Sequence, residues 1–513
     1  MLVNTKQSLI YINIIDREGG RQSDVRFGGR ITIPAKPEAQ VRLSLPEETM
    51  SVTEPLDESH YETLTQTIHG EVLIPQDEGY SDARSIWNGM IDRTPAVIIR
   101  CSGTADVISA VDYARENERL LAVKGAGHNI AGNAVCDDGV MIDLGPMNSV
   151  HVDPSAKLAR VGPGCTLADV DHETQAFGLA TPTGINSTTG IAGLTLGGGF
   201  GWLSRKYGMT IDNLRSVDMV TAEGELVKAS EDENPDLFWG IRGGGGNFGV
   251  VTSFEFELHE VGPELLCGPI VYPHADALEI IPRVREFNAQ APDEATAWIV
   301  LRQAPPLPFL PEDVHGSDVV IVAAFYGGDM DDGEEVLAPL REIGDPIADA
   351  VSPHRYVDWQ QAFDPLLTPG ARNYWKSHNF SELSDGAIET AVDYATSLPS
   401  PHSEIFFGHV GGEMARVPAD ETAYPHRDIA YAMNVHTRWE DPSLDDECIA
   451  WAREFYDAMA PHALGSAYVN FISEREGEES LAYGDNYDRL VELKNEWDPE
   501  NLFRMNQNIK PTA

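Results

Sequence analysis

The spacing of apolar positions divides the chain near residue 70. Residues 1–55 are polar, carry Pro- and Glu-rich stretches such as PAKPEAQ and LPEETMSVTEPLDE, and hold no sustained period. They read as a disordered extension, or as an over-extended start with the real one at Met50. From about Gly70 short apolar runs follow, AVIIR, LLAVKGAG, GVMIDL and ARVGPG, separated by the helical stretch ADVISAVDYARENERL and by glycine-rich turns. This texture predicts an α+β region with closely spaced strands, ending near EFELHEV. Beyond it, AWIVLR, DVVIVAAFYGG, SEIFFGHVGG and YAMNVHTRW read as longer strands and alternate with helices such as DECIAWAREFYDAMA. That pattern predicts a second domain, a sheet covered by helices. Internal repeats are not evident.

The length, 513 residues, exceeds one ordinary core and agrees with two domains or one domain with a large insertion. Charge changes the picture more. Against 36 Lys and Arg stand 82 Asp and Glu, a net charge of −46. Such a surface repels nucleic acid and anionic membranes. No apolar run is long enough to span a bilayer, and the N-terminus lacks a signal-peptide pattern, so the chain reads as cytoplasmic. The acids are spread along the chain, which fits adaptation to a salt-rich cytoplasm; a merely acidic mesophilic enzyme is the other reading. Salt adaptation predicts a melting temperature that rises with KCl from low to molar concentration, as screening relieves self-repulsion. An unchanged melting temperature across that range contradicts it. The cysteines, Cys101, Cys136, Cys165, Cys267 and Cys448, are odd in number and lack CxxC spacing, which argues against a disulfide framework or a metal site.

Candidate chemistry lies in three glycine-rich segments, VKGAGHNIAG, TPTGINSTTGIAGLTLGGGFG and IRGGGGNFGVV. Glycine at this density lets backbone N–H groups approach a ligand and form anion-binding nests, so a large anionic cofactor is the natural occupant. Glycines serving only tight turns are one alternative. A dinucleotide fingerprint is another, but it requires strand, glycine turn and helix, whereas RGGGGNFG runs straight into the strand-like VVTSFEFEL.

These segments, with WNGMIDRTPAVIIRC, LFWGIRGGGGNFGVVTSF and the C-terminal YGDNYDRLVELKNEWDPENLFRMNQNIKP, resemble the FAD-linked oxidases of the vanillyl-alcohol-oxidase (PCMH-type FAD-binding) superfamily. The likeness is to their berberine-bridge-enzyme-like group and covers about residues 70–513. It implies an α+β fold: a two-lobed FAD-binding domain over 70–262, an inserted substrate domain of antiparallel sheet covered by helices over 263–465, and a segment, 466–513, that returns to the FAD domain. It also implies a covalent bond from His128 to the flavin, chemistry that suits a neutral imidazole. Many relatives add a cysteinyl bond, but Asn186 occupies that place here, so a single bond is expected; Cys165 lies upstream. The residues expected to meet the FAD are Lys124, Gly125, Ala126, Gly127, His128, Asn129 and Gly132, then Pro182, Thr183, Gly184, Thr189, Gly190, Gly193, Gly198 and Gly199, then Val250, Asn470 and Asn506. The partners implied are a small-molecule substrate and O2, with hydrogen peroxide as product; oligomeric state stays open.

Flavin-linked oxidation of an alcohol, sugar or amine needs a C–H bond aimed at the flavin and usually a base for the O–H or N–H proton. Many relatives use the final tyrosine of a YxNY motif; here Tyr468, Val469, Asn470 and Phe471 end in a residue that accepts no proton. Relatives often carry an acid at the place of Ala432. Period-two alternation puts Ala432, Asn434, His436 and Arg438 on one strand face. By elimination His436 is the expected base, with Asn434 beside it, and Glu404 is a third catalytic candidate. A satisfied core histidine and a solvated strand-end acid are the alternatives for His436 and Glu404. Lys376 and His378 are possible wall residues. A histidine base predicts flavin reduction that climbs with pH through the neutral range. Two rival functions remain at this level: a flavin dehydrogenase with another acceptor, and a flavoprotein that binds without turnover.

Overall fold

The computed structural model describes residues 58–473 and 479–512. The segment 1–55 lies outside the described residues, which begin with the helix Glu58–Thr67. That helix precedes the expected start at Gly70 and sends Leu64 into the first core, which Ile68, just after it, also joins.

Three larger sheets, beside a two-stranded one, organise the rest of the described residues. In the first, Val140–Asp143 lies between Val97–Arg100 and Leu121–Lys124, parallel to both. The helix Thr104–Glu116 buries Val107, Ala110, Val111 and Ala114 with these strands, as its i, i+3, i+4 apolar spacing predicts. The second sheet is five-stranded and antiparallel, centred on Val250–Glu257. The third has eight strands, and every recorded pairing in it is antiparallel. Its strands Ala295–Gln303, Glu404–His409, Tyr431–Trp439 and Arg372–Phe380 are consecutive neighbours. Helices Ala277–Gln290, Met330–Arg341, Asp385–Ala395 and Asp445–Met459 pack on one face over a core that includes Ile299, Met433, Val435 and Phe455. The fold is thus α+β, with an antiparallel sheet whose four long helices lie on one face, while Phe200, Trp202 and Trp359 pack on the other.

The C-terminal segment joins the second sheet's core through Ala467, Val469, Ile472, Tyr483, Leu490, Leu493 and Ile509. Polar anchors fix its path. Asn247, in the third glycine segment, donates to the Gln507 carbonyl at 3.2 Å and accepts from the Ile509 N–H at 3.0 Å. Lys494 and Asp498, both fully buried, pair at 2.6 Å. Asp498 also accepts the N–H groups of Leu502 and Phe503, each at 2.8 Å. Among the described residues, no helix is long and apolar enough to cross a membrane, and no group of His, Cys, Asp and Glu is arranged to hold a metal ion.

Candidate active site

The other face of the third sheet shares with the glycine-rich segments the lining of a cavity of about 340 Å³. Register explains which side chains meet there. Arg302 stands opposite Glu404, Glu404 opposite His436 and His436 opposite Trp375, a single row across four strands. The next row carries Phe406 and Asn434. Cross-strand neighbours lie about 5 Å apart, close enough for side-chain contact. Nδ1 of His436 is 3.0 Å from Oε1 of Glu404, and Oε2 of Glu404 accepts from Arg302 at 2.6 Å. Since an ionised carboxylate only accepts, Nδ1 of His436 carries the proton and Nε2 the lone pair. Nε2 of His436 and Oδ1 of Asn434 are buried without a protein partner, in side chains that line the cavity.

Burial pushes the pKa of His436 below the ordinary histidine value, with the Arg438 and Arg302 charges adding to the effect and Glu404 opposing it. Burial works against ionisation of Glu404 as well, but Arg302, His436 and Arg438 together hold its pKa down at about 2. The pair is therefore a neutral imidazole oriented by an ionised carboxylate. Tyr468 is no substitute base: burial raises its hydroxyl to about 12, and that hydroxyl accepts from the N–H of Gly199 at 3.0 Å and from Asn470 at 2.9 Å.

His128 also lines the cavity and stacks on Trp87, ring centroids 4.3 Å apart, and Trp87 meets Trp375 edge-on at 5.8 Å. Gly127, just before it, has φ of +77°, a conformation that favours glycine. Desolvation lowers the His128 pKa to about 4, leaving the imidazole neutral. The side-chain nitrogen of Asn186 is 3.4 Å from Nε2 of His128. Cys165 is buried in the second sheet's core with its thiol on the Ser149 carbonyl, and burial lifts its pKa to about 12. It does not line the cavity.

Of the residues expected at the cofactor, Gly125, Ala126, Gly127, His128, Asn129, Gly184, Thr189, Gly190, Gly193, Val250, Asn470 and Asn506 line the cavity. Six others sit behind it. Lys124 turns away to the Ala83 carbonyl and Asp143. Gly132 backs onto Ile91, Gly198 onto Met209 and Gly199 onto Thr210. Thr183 accepts from Gln360, and Pro182, its neighbour, is also outside the lining. Lys376 and His378 point to the helix-covered face, where Nζ of Lys376 lies 4.6 Å from the Tyr456 ring centroid and His378 stacks on Tyr456 at 3.9 Å. Trp375, one residue away, lines the cavity instead. The lining also includes Trp87, Phe200, Trp298 and Phe406, aromatic residues not singled out from sequence. All four lie in strings quoted from the sequence, WNGMIDRTPAVIIRC, TPTGINSTTGIAGLTLGGGFG, AWIVLR and SEIFFGHVGG.

The wall suits a flavin dinucleotide. A Cβ built on Gly193 or Gly246 would meet nothing within 4 Å, so both backbones face open space that a side chain would take from a ligand. Asn133 and Asn506, also in the lining, bury polar atoms that have no protein partner and would be satisfied by a polar ligand.

Comparison with known proteins agrees with this geometry. Residues 95–230 match the FAD binding domain family and residues 467–510 the berberine and berberine-like family. The chain is 33% identical over 460 residues to (R)-6-hydroxynicotine oxidase of Paenarthrobacter nicotinovorans, covering 87% of this chain and 97% of that protein. It is 32% identical over 455 residues to an FAD-linked oxidoreductase of Dictyostelium discoideum, covering 87% and 96%. The crystal structure of 6-hydroxy-D-nicotine oxidase from Arthrobacter nicotinovorans superposes with a TM-score of 0.77 at 30% identity, covering 86% of this chain and 98% of that one. A xylooligosaccharide oxidase from Myceliophthora thermophila shares the fold, with a TM-score of 0.78 at 24% identity over 88% of this chain and 99% of that one. The cavity, the FAD-binding match and these full-length relatives together make the chain an FAD-linked oxidoreductase of the berberine-bridge-enzyme-like family.

Proposed function

We propose that the protein is an oxidase acting on a small alcohol, sugar or amine, with FAD held by a single covalent bond from His128 and His436 as the catalytic base. The observation that carries this reading is the His436–Glu404 pair, with an unpartnered Nε2 on a side chain that lines the same cavity as His128 and the glycine segments. Bound FAD would supply the acceptor for the substrate's hydride and the route for two electrons to O2, which would give hydrogen peroxide. Nε2 of His436 takes the O–H or N–H proton, so that the carbon–oxygen or carbon–nitrogen bond becomes double as the hydride leaves. Glu404 keeps Nδ1 protonated and steadies the imidazolium that forms, and Arg302 keeps Glu404 ionised. Asn434 offers a hydrogen bond to the substrate's heteroatom. On this reading residues 70–262 and 466–513 hold the cofactor, and residues 263–465 present the catalytic row.

The neutral His128 ring supports the covalent bond, since only the unprotonated nitrogen is a nucleophile. Asn186 beside it offers no thiol, and the buried Cys165 no thiolate. Oxidase and dehydrogenase part on one measurement: one hydrogen peroxide formed per substrate oxidised in air is the expected result. Turnover that requires a dye or quinone and yields no peroxide would replace the oxidase with a dehydrogenase.

A further inference from the structure

Resting on the oxidase reading, we infer that the substrate is a largely apolar molecule bearing an aromatic ring and one oxidisable amine or alcohol, rather than a sugar. The sheet side of the cavity presents Trp298, Trp375 and Phe406, and Phe200, Tyr468 and Phe471 continue the wall. Neighbouring rings touch in edge or tilted geometry: Phe200–Tyr468 at 4.8 Å, Trp298–Phe406 at 5.2 Å and Trp375–Phe471 at 5.7 Å between centroids. A planar aromatic body gains dispersion and quadrupole contacts from such a wall.

Polar capacity on this side is small. The buried cavity-lining atoms of the third sheet that lack a protein partner are Nε2 of His436, Oδ1 of Asn434 and Nε1 of Trp375. Nε2 is committed to the reacting proton, which leaves one acceptor and one donor. A sugar brings several hydroxyls, and each that loses water without a new partner weakens binding.

The test uses the full-length holoenzyme and two non-oxidisable probes, benzamide and 1,5-anhydroglucitol, titrated against the flavin absorption spectrum. Benzamide is expected to perturb the spectrum at concentrations about 100-fold below any effect of the polyol, the discrimination of a site that leaves hydroxyls unpaired. Phe406→Leu, which keeps bulk but removes the ring, is expected to weaken benzamide about tenfold without lowering flavin content. Anaerobic flavin reduction should follow the same order, N-methylbenzylamine and benzyl alcohol ahead of glucose and cellobiose. Tighter binding of the polyol, or faster reduction by a sugar, overturns the inference while leaving an oxidase in place. Benzamide binding without peroxide from any substrate leaves the aromatic class standing and removes the oxidase reading instead.

Discussion

Replacing His436 by alanine is expected to slow anaerobic flavin reduction by about 100- to 10,000-fold, the range of a positioned general base. Flavin content should be unchanged, because His436 stands on the sheet face and not among the glycine segments. The wild-type pH profile carries the same information. Expectation from sequence put the rise of the rate in the neutral range, but burial lowers the His436 pKa. A base whose pKa falls becomes competent at lower pH. The rate should therefore be level through neutrality and fall only on the acid side of about 6.5, the ordinary histidine value. Glu404→Gln, which keeps the shape and removes the charge, should slow reduction less than the alanine variant at His436. Retention of most activity in His436→Ala would mean that the substrate needs no base or that Glu404 serves directly.

Asp498→Ala is expected to destabilise the protein by about 3–5 kcal/mol, the cost of leaving one member of a buried ion pair alone. Lys494 would keep its hydrogen bonds to the carbonyls of Asn247 and Phe503 but lose its counter-charge, and the N–H groups of Leu502 and Phe503 would lose their acceptor. Phe503, Met505, Asn506 and Gln507 line the cavity just beyond this knot, so flavin retention should fall together with the melting temperature. A variant with wild-type melting temperature and flavin content would contradict this role for the WDPENLF segment. Thermal denaturation followed by flavin fluorescence and circular dichroism measures both.

Particular residues show how far the site was legible in the sequence. The strand Tyr431–Trp439 coincides with its apolar pattern, and alternation correctly grouped Ala432, Asn434 and His436 away from Met433 and Val435. For the neighbouring strand the same periodicity gave no way to choose between two faces. Lys376 and His378 were singled out as polar residues, yet they lie against Tyr456 while the apolar Trp375 reaches the cavity. Glu404 was ambiguous for a related reason. Its strand could have ended in solvent, and its burial depends on Arg302, about 100 residues earlier, which only the register brings to its side. Glycine-rich strings marked the wall of the cavity but not its depth: Gly193 and Gly246 face open space, whereas Gly198 and Gly199 are spent on contacts with Met209 and Thr210. Gly190 serves a close approach instead, since a Cβ there would come within 3.0 Å of Ala126 and push the His128 loop away.

The central claim, a flavin bonded to His128 and to no cysteine, is tested most directly by acid precipitation of the purified protein followed by peptide mapping. The yellow colour is expected to stay with the precipitate and to map to the peptide containing His128, and His128→Ala should release free FAD on denaturation while keeping its fold. Colour released from the acid-precipitated wild type, or a flavin found on the peptide containing Cys165, would contradict the account.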